Sequence, residues 1–143
     1  MNRLVLPVFA AVGIASLLGG CSAPAGLAVF QRDAVAADEL PAEAATAENP
    51  KLESARLLAE ADGVRYYAAQ GDNRTLTCLI AVSDAKPGSF LGGCGSSMTT
   101  GQIVSVSGLD GMSATLVTDG FGTKELEAQG WRKIHQNVLI GGR

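Results

Sequence analysis

Residues 4–18 form a run of 15 positions without a charged side chain, and Gly19-Gly20-Cys21 closes it. This run decides how much of the chain is left to fold. Arg3 precedes it, so the order is a short cationic region, an apolar region and small residues. That order describes a secretory signal. A spanning helix needs about 20 apolar residues, and Pro7 and Gly13 weaken this run as a stable span. A cleaved signal over residues 1–20 is therefore expected, with the rest of the chain exported.

The end of the run is more specific. Leu18-Gly19-Gly20-Cys21 resembles the bacterial lipobox, in which a branched apolar residue and two small residues precede a cysteine. In such signals the cysteine thiol receives a diacylglyceryl group, and cleavage before it makes it the first residue of the mature chain. The small residues let the peptidase approach the backbone. Two or more acyl chains anchor stably where one is marginal. The resemblance implies that Cys21 anchors an extracytoplasmic domain to the outer face of the cell membrane. The membrane is then the first expected partner.

Taking Cys21 as the anchor leaves Cys78 and Cys94 of the three cysteines. Exported domains live in an oxidising compartment, where paired cysteines usually close. A Cys78–Cys94 bridge would close a loop of about 16 residues, worth roughly 3 kcal/mol in the chain-entropy account. A metal pair would need further ligands, and His135 is the one histidine. A redox pair would favour C-x-x-C spacing.

The 143 residues allow one domain. The net charge of −3 is unevenly placed. Residues 22–50 set Arg32 against Asp33, Asp38, Glu39, Glu43 and Glu48, while residues 51–143 balance. No segment has the clustered basic character that nucleic-acid binding needs. Residues 21–50 read as an acylated cysteine and an acidic, alanine-rich tether. Phe30 and Leu40 are out of place in a tether, so 27–41 is a candidate for docking on the domain.

Asn49-Pro50 suits a helix start, and Leu52, Ala55, Leu58 and Ala59 fall on one helical face. The spacing predicts a short helix over 50–61, capped by Gly63. Beyond Gly63 the period becomes two. Strands are expected at 64–69, 75–82, 89–94, 102–107 and 112–118, with one or two more in 131–134 and 137–140. A helical turn is expected within 123–129. Gly92-Gly93-x-Gly95 reads as tight turning beside the disulfide, and 95–101 as a loop. The fold class is then α+β, mostly β: one short N-terminal helix and a small antiparallel sheet of five to seven strands, stapled by one disulfide, over residues 51–143.

Candidate chemistry is sparse. Most acids sit beside glycine in turns such as Asp62-Gly63 and Asp119-Gly120, where turn formation accounts for them. No catalytic residue, metal set or cofactor motif is singled out. Trp131, Lys133 and His135 alternate along one strand and would share a face, making a candidate interface. A lone tryptophan in a small domain equally suits a core anchor.

The short motifs Phe30-Gln31-Arg32, Asp38-Glu39-Leu40-Pro41, Ser54-Ala55-Arg56-Leu57-Leu58, Gly63-Val64-Arg65-Tyr66-Tyr67-Ala68-Ala69, Cys78-Leu79-Ile80, Gly93-Cys94, Val117-Thr118-Asp119-Gly120 and Gly130-Trp131-Arg132 resemble a group of uncharacterised lipoproteins and exported domains of high-GC Gram-positive bacteria. Thr118 stands where that pattern commonly has proline. The resemblance implies shared architecture and carries over no catalytic residue. The expected function is a lipid-anchored, non-enzymatic binding or accessory module for a protein or small-molecule partner. A hydrolase inhibitor presenting the 95–101 loop is the alternative, followed by a small hydrolase.

Overall fold

A computed structural model of the protein describes residues 26–46, 50–108 and 111–141. Cys21 and the lipobox residues Leu18, Gly19 and Gly20 lie outside the described residues, as does Asn49. The fold is mostly β. The strands are β1 (Leu52–Ala61), β2 (Val64–Gly71), β3 (Leu76–Ser83), β4 (Phe90–Ser96), β5 (Gln102–Ser107), β6 (Ser113–Val117), β7 (Trp131–His135) and β8 (Val138–Gly141). They form two four-stranded antiparallel sheets, in the orders β1-β2-β3-β4 and β5-β6-β8-β7. Two short helices, α1 (Ala42–Ala45) and α2 (Lys124–Ala128), and two 3₁₀ turns, Ala28–Gln31 and Ala36–Asp38, complete the described elements.

The expected helix over 50–61 is instead β1, and the expected single sheet of five to seven strands is two sheets with eight. Helix propensity is a weak preference that tertiary pairing overrides. Ala55 and Leu57 also alternate with Arg56 and Leu58, which is a strand pattern. Asp62 and Gly63 both have positive φ, 54° and 73°, as a type I′ hairpin turn requires. Gly63 is therefore the second residue of a β1–β2 turn and not a helix cap. Register shifts after Leu52 and after Leu57 let β1 follow β2 along its length.

One hydrophobic core lies between the sheets. Leu58, Tyr66, Ala68, Leu79 and Ala81 from the first sheet meet Ile103, Leu116, Val138 and Ile140 from the second. A second core lies on the other face of the first sheet, where Tyr67, Cys78, Ile80 and Val82 pack under Ala44 and Leu40. Strands β2 and β3 are thus covered on both sides, which explains their nearly continuous burial. Burying a side chain such as Leu79 in full contributes about 1.5–3 kcal/mol.

Cys78 and Cys94 are register partners on β3 and β4, and they form a disulfide. The Gly92–Gly95 stretch is part of β4 and not a turn. The 95–101 loop accordingly shortens to the residues after Ser96. A Cβ on Gly93 would lie 2.8 Å from Val106 Cγ1, and one on Gly95 would lie 2.1 Å from Ile103 O. Glycine at these places lets β5, the edge of the second sheet, approach the backbone of β4.

The segment before β1 packs on the sheets. Leu27 is 3% exposed and belongs to the inter-sheet core. Asp119 Oδ2 accepts from Ala28 N at 2.6 Å, while its Oδ1 accepts from Asn137 Nδ2 at 2.7 Å. Asp119 therefore ties the 3₁₀ turn to the β7–β8 connection.

Asp38, 4% exposed, is the second tie. Its carboxylate takes both Arg32 terminal nitrogens at 2.6 and 2.7 Å, Val35 N at 2.8 Å and Leu57 N at 2.7 Å. These bonds, Arg32's first, hold the Asp38 carboxyl well below the usual carboxylate range despite its burial. Favouring the charged form in the folded state gives stability that is present above the unfolded pKa of about 4 and lost as pH falls below it. Urea titrations at pH 7, 4 and 2.5 should show the wild type losing stability on acidification and Asp38→Asn losing markedly less. Parallel acid limbs for the two proteins would contradict this role.

Candidate functional site

A cleft of about 500 Å³ opens between the sheets beside the β1–β2 turn. Its size is in the range of small-ligand sites. The hairpin turn supplies Asp62, β2 supplies Val64 and Tyr66, β7 supplies Arg132, β8 supplies Ile140, and Met112 closes one side. Alternation along β2 turns Tyr66 inward, and pairing with β8 Ile140 puts Arg132 on the same inner side of its sheet.

Tyr66 is 1% exposed. Buried phenols usually find a strong hydrogen-bond acceptor. Among the described residues the hydroxyl meets only the Met112 thioether sulfur, at 3.6 Å, and such a sulfur accepts weakly. Burial first, and then the Asp62 carboxylate, push the Tyr66 pKa up, with Arg132 opposing. The phenol therefore stays protonated at neutral pH and available as a donor. At the mouth, Arg132 donates to the Asp62 carboxylate. Both side chains are more than half exposed, so this pair is worth little and exchanges readily. The arrangement can hold a small ligand by an apolar wall, one phenolic donor and one movable ion pair.

The residues expected at an interface are not together. Trp131 and Lys133 pair with Gly141 and Leu139, on the face away from the inter-sheet core. A register shift between Lys133 and His135 breaks the alternation, and His135 pairs with the core residue Val138. The expected face shared by Trp131, Lys133 and His135 therefore does not form. Trp131 is half-buried, its ring 3.6 Å from where a Cβ on Gly141 would stand. It is neither a central core anchor nor freely exposed.

His135 Nδ1 accepts from Asn137 N at 3.2 Å. Burial lowers its pKa, opposed by Asp119, so the ring is neutral at pH 7. No group of three or more His, Cys, Asp or Glu among the described residues could hold a metal ion. No helix among them is long and apolar enough to cross a membrane.

Sequence reasoning missed Tyr66 and Arg132 as partners, since only the inter-sheet packing brings them together. Comparison with protein-family models, with curated proteins and with solved structures returned no match.

Proposed function

We propose that the protein is an extracytoplasmic lipoprotein, anchored through an acylated Cys21, whose two-sheet domain is a non-enzymatic binding module. The observation that carries this reading is the order of its cysteines. A lipobox-like Leu18-Gly19-Gly20-Cys21 comes first, and the other two cysteines pair with each other. A disulfide suits an oxidising compartment, and an odd cysteine at the end of an apolar run suits acylation. The inter-sheet cleft supports binding, because Tyr66 offers a buried donor without a strong acceptor.

Fractionated cells test the anchor. The wild type is expected in the membrane fraction, and Cys21→Ala in the soluble fraction or the medium. Unchanged fractionation of Cys21→Ala would overturn the anchor.

A further inference from the structure

A second cleft, of about 470 Å³, lies on the first sheet beneath the 3₁₀ turn that begins after Leu27. Arg56 of β1 and Arg74 of the β2–β3 turn both line it, with Ser54, Gln70 and Ser97 between them. None of its lining residues is acidic. The two arginines lie 18 positions apart, so no basic cluster shows in the sequence.

Arg56 is the unusual member. Its side chain is in a residue only 8% exposed. Nε and Nη2 donate to Arg32 O at 3.3 and 2.8 Å, and Nη1 donates to Ala55 O at 2.7 Å. These carbonyls use three of five N–H groups. No carboxylate among the described residues forms an ion pair with Arg56 or Arg74. Glu53, close to the turn, accepts from Asn73 N at 2.9 Å instead. A buried cation without a counter-charge is costly and normally paired. Arg74 is held at φ 66°, in the left-handed region that disfavours its side chain. Ser97 Oγ donates to Arg74 O at 2.8 Å and so helps to fix that backbone.

We propose that this cleft binds a phosphoryl group, with the Arg56 and Arg74 guanidiniums as its counter-charges. Arginine matches the oxygens of a tetrahedral anion with paired donors. Two guanidiniums balance a dianion, and the Gln70 amide adds a neutral donor at the wall. The group has two sources, free phosphate or a phospholipid headgroup. Gly26 lines the cleft five residues after Cys21, a reach of at most about 18 Å. The lipid source alone rests on the proposed Cys21 anchor; the phosphoryl site does not.

The test uses the full chain carrying Cys21→Ser, in a neutral detergent, titrated with inorganic phosphate at constant ionic strength set with chloride. Arg56 and Arg74 Nε–H resonances should shift saturably, and Arg74→Gln should weaken binding about tenfold or more. Arg74 is exposed, so this variant keeps the test valid where Arg56→Gln fails to fold. A second arm compares retention on vesicles of phosphatidylcholine with and without phosphatidylglycerol. Retention that rises with phosphatidylglycerol and falls with Arg74→Gln identifies a headgroup. Phosphate binding without that difference identifies the free anion. Absence of both, or binding that Arg74→Gln leaves unchanged, overturns the site. A fractionation result against the Cys21 anchor would leave the phosphate arm standing.

Discussion

Gly95→Ala should destabilise the protein by about 3 kcal/mol or more, at or beyond the upper end of what overpacking usually costs. The added Cβ would stand 2.1 Å from Ile103 O and 3.0 Å from Ile103 C. Both are backbone atoms of β5, so relief requires moving one sheet edge away from the other. That movement would open the inter-sheet core at Ile103 and Val106. Gly92→Ala is the control on the same strand. Its Cβ would meet Ile80 Cδ1 at 2.9 Å, the end of a side chain that can rotate. A cost of about 1 kcal/mol is expected there. Urea midpoints of the two variants should therefore differ strongly, and equal midpoints would contradict the close approach of β4 and β5.

Replacing both cysteines, Cys78→Ala with Cys94→Ala, should cost about 3 kcal/mol. The bridge closes a separation of 16 residues between β3 and β4. Cys78 is fully buried in the second core, so truncating it adds a packing loss to the loss of the cross-link. A drop in Tm of about 10–20 °C is expected for a domain of this size. Reductant should lower the wild-type Tm in the same direction and leave the double variant unaffected. A wild-type Tm indifferent to reductant would contradict the bridge.

Period and turn chemistry located most strands. The Gln102–Ser107 strand has the bounds that its alternation predicts, and the Val64–Gly71 and Leu76–Ser83 pair follows from two alternating runs around Asp72-Asn73. The Cys78–Cys94 pairing is legible from the cysteine count together with the expectation of export. The β1 segment suits a helix in sequence because Leu52, Ala55, Leu58 and Ala59 fit both a helical and an extended pattern. The deciding signal was Asp62-Gly63 between two alternating runs, the strongest short hairpin signal. The two-sheet arrangement was not legible, because it depends on Gly93 and Gly95 meeting β5 through space. The first cleft is hidden for the same reason, since Tyr66 and Arg132 are unremarkable until the two sheets meet. Arg56 and Arg74 are joined within the first sheet, by β1 lying beside β2 and its turn, a pairing that their 18-residue separation does not announce. The expected face of Trp131, Lys133 and His135 failed on one register shift, which no local pattern announces.

The intact mass of the protein extracted from membranes tests the anchored-domain account most directly. It should correspond to a chain that begins at Cys21, carries a diacylglyceryl adduct there, and lacks two hydrogens for the Cys78–Cys94 bond. A chain that retains residues 1–20, or that begins elsewhere without an acyl adduct, would contradict the account.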